Sequence, residues 1–262
     1  MSTNTVQITR EGFVARVTLN RPEVRNAFND DVIGELTAAF IALGQDQTLR
    51  AIVLAAQGKA FCAGADLNWM KAMAGYSWDE NKADASKLAE MLWTVYSCPL
   101  PVIARVQGDA FAGGVGLVSV CDVVVAADTA GFCLSEARLG LMPATIAPYV
   151  VRALGAQNSR RYFTTAERFD AAAAKAMGLV HECVPAAELD ETIDAIVVAL
   201  VANGPSAVSA CKRLVQDVAG HPISDALRAD TARRIADIRA SDEGKEGVQA
   251  FLNKRAPAWL DS

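Results

Sequence analysis

Three short, mostly apolar runs constrain this chain more than any other feature: Ala51-Ile52-Val53-Leu54, Pro101-Val102-Ile103-Ala104-Arg105-Val106 and Asp122-Val123-Val124-Val125-Ala126. Runs of that length without polar alternation read as buried strands. Between them the periodicity changes. After Asp30 the apolar positions Val32, Ile33, Leu36, Ala39, Phe40 and Leu43 recur at helical spacing, and further helices are expected over 66–74 and 79–97. Such β–α–β alternation predicts an α/β fold. With no dinucleotide fingerprint in the chain, stacked β/α units are expected rather than a Rossmann domain. Ahead of these elements Val6, Ile8, Phe13, Ala15, Val17 and Leu19 alternate at period two, predicting a hairpin closed at Glu11-Gly12 and ended by Asn20-Arg21-Pro22.

Beyond about residue 190 the strand signal disappears, and helices are expected over 188–202, 206–219, 223–241 and 244–253. The chain thus divides into a core over 1–190 and a helical region over 191–262 whose apolar stripes must cover the core or another subunit. At 262 residues, 52% hydrophobic and 21% charged, the composition is that of a globular chain. The start, MSTNTVQITREG, lacks the regions of a signal peptide, and no apolar run reaches the ~18–20 residues of a spanning helix, so a cytoplasmic location is expected. A net charge of −5 offers nucleic acid or an anionic membrane no general attraction, so neither is an expected partner. Cys62, Cys98, Cys121, Cys133, Cys183 and Cys211 form no C-x-x-C pair and read as reduced core residues; no metal site is expected.

Two segments carry the chemistry. Phe61-Cys62-Ala63-Gly64-Ala65-Asp66-Leu67 follows a strand and opens a helix, and so does Gly108-Asp109-Ala110-Phe111-Ala112-Gly113-Gly114-Val115-Gly116. Small residues let a ligand approach the backbone, and the first N–H groups of a helix lack intrahelical partners, so both segments can present donors to an anionic oxygen. His181 and His221 lie outside these segments, and Ser119 and Ser135 lack a nucleophile elbow, which argues against an acyl-enzyme hydrolase.

Taken together with Arg25-Asn26-Ala27-Phe28, Cys121-Asp122, Ser135-Glu136, Leu139-Gly140-Leu141-Met142-Pro143, Ala176-x-Gly178-Leu179-Val180 and Phe251-x-x-Lys254-Arg255, the two segments make the chain resemble the crotonase (enoyl-CoA hydratase/isomerase) superfamily over nearly its whole length. The resemblance implies a spiral of β/β/α units with a helical C-terminal region used for trimerisation, and a homotrimer or hexamer. It implies an acyl-CoA substrate, with coenzyme A present as part of the thioester and no tightly bound cofactor. In such a protein the N–H groups of Ala65 and Gly113 would form an oxyanion hole, and Glu136 would be the acid/base group. Val24, Arg25, Ala27, Ala63, Asp66, Leu67, Phe251 and Lys254 would contact coenzyme A, and Trp69, Met70, Met73 and Gly116 would line the acyl pocket.

Hydratases of the family usually carry a first glutamate where this chain has Gly116. That departure leaves two enzymatic expectations. One is an isomerase in which Glu136 alone moves a proton between two carbons. The other, which is favoured, is a hydratase for branched, carboxylated chains, because residues 134–148 and 163–170 look like bacterial methylglutaconyl-CoA hydratases. There, Gly116 would clear room for the substrate and remove repulsion against its carboxylate. A non-catalytic binding protein of the same fold, including an RNA-binding one, is the remaining class, and the negative charge argues against it.

Overall fold

The computed structural model describes residues 4–260; residues 1–3 and 261–262, at the outer ends of the two expected regions, lie outside it. Strands β1 (Val6–Glu11) and β2 (Val14–Leu19) form the N-terminal hairpin, with Glu11 opposite Val14 and Gly12 at φ 56° in the turn. Helix α1 (Asp30–Gly44) starts at Asn29, whose side chain accepts from the Val32 N–H at 3.0 Å, and leads into β3 (Ala51–Ala56). Helices α2 (Leu67–Met73) and α3 (Trp78–Tyr96) follow, the latter opened by a reciprocal Ser77 and Glu80 capping box. Next come β4 (Val102–Val106), β5 (Ala110–Phe111), α4 (Gly113–Ser119), β6 (Val123–Ala127) and β7 (Gly131–Cys133). A 3-10 turn over Glu136–Leu139 precedes α5 (Ala147–Thr165), which is broken at Gly155, and then β8 (Arg168–Asp170), α6 (Ala171–Met177) and β9 (Glu182–Val184). The chain ends in α7 (Leu189–Val201), α8 (Pro205–Val218), α9 (Asp225–Ala240) and α10 (Asp242–Leu252).

Among the described residues two sheets form, a six-stranded one ordered β1-β2-β3-β4-β6-β9 and a three-stranded one ordered β5-β7-β8. Beyond the antiparallel hairpin, the larger sheet is parallel. Its two faces explain the apolar runs. Ile52, Leu54, Ala104 and Val124 join a large core with α1, α3 and α4, while Val53, Ile103 and Val125 join a second cluster with Leu189 and Ile193 of α7. Both sides of β3, β4 and β6 are covered, so neither side tolerates polar alternation.

Two expectations are corrected here. Ile8 and Phe13 belong to the apolar alternation, yet they are 50% and 41% exposed. β1 is the sheet edge and no described residue covers that part of the hairpin, whereas Ala15, Val17 and Leu19 on β2 are buried. The cysteines are all free, but only Cys62, Cys98 and Cys133 are buried; Cys211 lies exposed on α8. The stretch over 131–184 also holds three strands and two helices that the periodicity did not reveal, because a three-residue strand is too short to display a period.

Candidate active site

The backbone bonds of one loop fix the first glycine-bearing segment. Arg25 and Asn26 both adopt left-handed angles, φ 54° each, which folds residues 21–28 back on 57–66. The Asn26 side chain is buried and donates to Gln57 O at 2.8 Å and Ala60 O at 2.9 Å, while Ala63 N–H donates to Arg25 O at 3.0 Å. Phe28 then pairs with Ala65: its N–H donates to Gly64 O at 2.7 Å, and its carbonyl accepts from Asp66 N–H at 2.8 Å. Those two bonds use the Gly64 carbonyl and the Asp66 N–H, which flank Ala65. The N–H of Ala65 itself therefore points away from Phe28.

The second segment is seated on the first. Cys62 bridges Ala110 in parallel fashion, with Phe111 N–H donating to Cys62 O at 2.8 Å. Side chains are excluded where the segments touch. A Cβ on Gly114 would lie 2.5 Å from Cys62 O, and one on Gly64, already at φ 90°, would lie 3.1 Å from Phe111 O. Ala112, at φ 49° and ψ −118°, makes the sharp corner into α4, and its N–H donates to Cys133 O at 2.8 Å. A non-glycine residue in that region stores on the order of 1–3 kcal/mol, held here by the surrounding bonds. Gly113 follows as the first residue of α4. Among the described residues the N–H groups of Ala65 and Gly113 donate to no protein acceptor, and both residues are partly exposed.

Three residues after Cys133, Glu136 opens the 3-10 turn. Its Oε2 is buried and accepts no hydrogen bond from the described residues, and burial pushes its pKa above the ordinary glutamate value. A buried carboxylate oxygen without a partner is costly for a fold and useful for proton transfer. The segments over 62–65, 110–113 and 133–136 are thus linked by direct backbone bonds.

The other expected site residues divide. Ala27 and Asp66 are 5% and 6% exposed, and the Asp66 carboxylate is engaged by Arg21 at 2.9 Å and by Asn68 N–H at 2.8 Å. That carboxylate caps α2 and ties down the loop. Val24, Arg25 and Leu67 are exposed, and Ala63 is partly so, beside the first segment. Trp69, Met70 and Met73 are half-buried on α2, with Trp69 Nε1 donating to the buried Asp84 at 3.0 Å. Phe251, 83% exposed, and Lys254 lie at the end of α10, which packs on α8 and α9. A separate cavity of about 680 Å³ holds His181 and His221 but none of Ala65, Gly113 and Glu136. There His181 Nδ1 accepts from Val124 N–H at 2.9 Å, a structural role.

Gly116 corrects a further expectation. It is buried, and the room beside it is filled: a Cβ at 116 would lie 2.1 Å from Ile146 Cγ2 and 2.7 Å from Ile146 Cβ. No space is left there for an acyl branch. Gly116→Ala should therefore destabilise by about 1–3 kcal/mol through overpacking. In an Ile146→Gly background, which removes both Cγ2 and Cβ, the further cost of Gly116→Ala in urea titrations should be smaller than in the wild type. An equal cost in the two backgrounds would show that the contact is not what excludes a side chain.

The enoyl-CoA hydratase/isomerase family model matches residues 9–262. A solved enoyl-CoA hydratase from Shewanella pealeana shares 39% identity and a TM-score of 0.95, covering 97% of this chain and 96% of that one. One from Mycobacterium smegmatis shares 35% identity and a TM-score of 0.92, covering 98% and 99%. Enoyl-CoA hydratase EchA19 of Mycobacterium tuberculosis is 32% identical over 252 residues, 95% of this chain and 94% of that protein. The chain is therefore a crotonase-fold enzyme that belongs to the enoyl-CoA hydratase/isomerase family.

Proposed function

We propose that the protein adds water to a 2-enoyl-CoA, with Ala65 and Gly113 N–H groups holding the thioester oxygen and Glu136 as the sole carboxylate acting on the acyl chain. The observation that carries this is the pair of unpartnered amides on two segments clamped to one another. As the oxygen of water bonds to C3, its proton passes to the Glu136 carboxylate and the electron pair of the double bond moves onto the thioester oxygen. The two N–H groups stabilise that charge without reorganising. The same carboxyl then returns a proton at C2 and the enolate collapses to the thioester. One group serves both steps because residue 116 has no side chain and Ile146 occupies its place. Burial suits Glu136 to this work, since a raised pKa makes the carboxylate a stronger base.

For the acyl group, likeness to methylglutaconyl-CoA hydratases over 134–148 and 163–170 supports a branched, carboxylated chain such as 3-methylglutaconyl-CoA. Exposed Arg25 and Lys254 supply cations for the phosphates of coenzyme A. Lys254 and Phe251 lie on an outer surface, so they would serve a site best from a neighbouring subunit of a homotrimer or hexamer. The lone carboxylate also favours a second reading, in which Glu136 moves a proton from C2 to C4 of a 3-enoyl-CoA. Assays on 3-methylglutaconyl-, crotonyl- and 3-hexenoyl-CoA separate the two. Hydration consumes the absorbance of the conjugated enoyl thioester, isomerisation creates it, and a protein that does neither would overturn both.

A further inference from the structure

One residue touches both halves of the amide pair. Phe28 clasps the peptide groups on either side of Ala65 with its own N–H and carbonyl, at 2.7 and 2.8 Å. Its ring meanwhile lies against Gly113: a Cβ there would sit 3.1 Å from both Cδ2 and Cε2 of Phe28. The residue is 1% exposed and among the largest fully buried side chains. Behind it the loop is braced. Arg21 donates to Ala27 O at 2.7 Å and to Asp66 Oδ2 at 2.9 Å, an ion pair whose two side chains are 18% and 8% exposed. Arg21 thus joins the residue before Phe28 to the residue after Ala65.

We propose that Phe28 is the positioning residue that sets the separation of the two thioester-binding amides, its backbone fixing Ala65 and its ring spacing Gly113. The proposal rests on the oxyanion role given to those amides above. An oxyanion hole works through donors placed before the reaction, so it needs both donors held at a fixed distance from each other. The bonds around Ala65 are made by the main chain of residue 28 and survive substitution. The spacing of Gly113 depends on the ring and does not. Shrinking the side chain should therefore let α4 settle toward residue 28 and carry the Gly113 N–H out of line. Residue 28 would affect the developing charge while leaving the nucleotide end of the substrate untouched.

The probe is cinnamoyl-CoA, whose conjugated thioester absorbs at longer wavelength when its carbonyl is polarised. Binding to the wild-type protein should produce that red shift. Phe28→Leu should keep the dissociation constant within about threefold, lose more than half of the red shift and lower kcat on the preferred enoyl-CoA roughly 10-fold, with Phe28→Ala approaching the ~10²-fold cost of a misplaced group. Should the alanine variant fail to fold, the leucine variant alone decides. Gly113→Ala presses a methyl on the ring, so its effect on the red shift should be smaller in the Phe28→Leu background than alone. Equal red shifts in the wild-type, leucine and alanine proteins would overturn the assignment to Phe28. Absence of the shift in the wild type would instead remove the oxyanion role itself, and this proposal with it.

Discussion

Glu136→Gln is expected to lower kcat by about 10²- to 10⁴-fold while leaving the binding of a saturated acyl-CoA nearly unchanged, and to raise the thermal midpoint of the folded protein. Glutamine keeps the shape of the side chain but cannot accept the proton of water, so the loss falls on the chemical step. The gain in stability follows from the same burial. Oε2 has no hydrogen-bond partner among the described residues, and the folded-state pKa lies above its unfolded value. Folding therefore takes up a proton between those two values, and stability falls as pH rises through the folded one. Near neutrality the ionised carboxylate costs free energy that glutamine does not. The stability difference should shrink in mild acid, where Glu136 is protonated. Activity should show the opposite trend, with an acid limb above the usual glutamate range. A glutamine variant with wild-type turnover would remove Glu136 from the chemistry, and one that is less stable at neutral pH would contradict the cost of its burial.

Much of this site was legible because its chemistry is carried by the main chain. Gly64 and Gly114 stand where two backbones approach, and a Cβ at Gly114 would meet Cys62 O at 2.5 Å, so the need for small residues is written into the sequence. The buried strands were legible for a similar reason: coverage on both faces of β3, β4 and β6 forces uninterrupted apolar runs. Contacts between distant side chains left no such trace. Nothing in a linear reading places Ile146 against Gly116, thirty positions away, and so the missing carboxylate looked like open space when it is a filled one. Phe28 was visible as part of a motif, but its ring contact with Gly113 needs the fold. The pairing of Asp66 with Arg21 across the loop, which makes its carboxylate a brace, likewise needs the fold. Ile8 and Phe13 of the hairpin misled in the other direction, since alternation records which face a residue takes and not whether anything covers that face.

Removing the ammonium group of Lys212 is expected to cost about 3 kcal/mol of stability near neutral pH, the lower end for breaking a buried ion pair. Lys212 on α8 is 8% exposed in its side chain and donates to Asp122 Oδ2 at 2.7 Å and to Leu100 O at 3.0 Å. Asp122, whose side chain is 27% exposed, also accepts from Val102 N–H at 2.8 Å while its own N–H donates to Val102 O at 2.8 Å. One carboxylate thus ties the start of β4 to the start of β6 and holds α8, the first helix of the outer C-terminal group, against both. Burial raises the Asp122 pKa even with the Lys212 ammonium alongside, which lowers it. In Lys212→Met that opposing charge is gone and the folded pKa climbs further. A raised carboxyl pKa means the folded state binds the extra proton, so stability falls as pH rises through that value. The penalty of the methionine variant should accordingly be largest at neutral pH and fade in mild acid, once Asp122 is protonated. Pairing it with Asp122→Asn removes the stranded charge and should recover part of the loss, because a buried charge without its partner costs more than the pair is worth. Urea titrations of the wild type and the two variants at both pH values test this. A methionine penalty that ignores pH, or a double variant no more stable than Lys212→Met, would mean that packing of the lysine stem, and not its charge, docks the C-terminal helices.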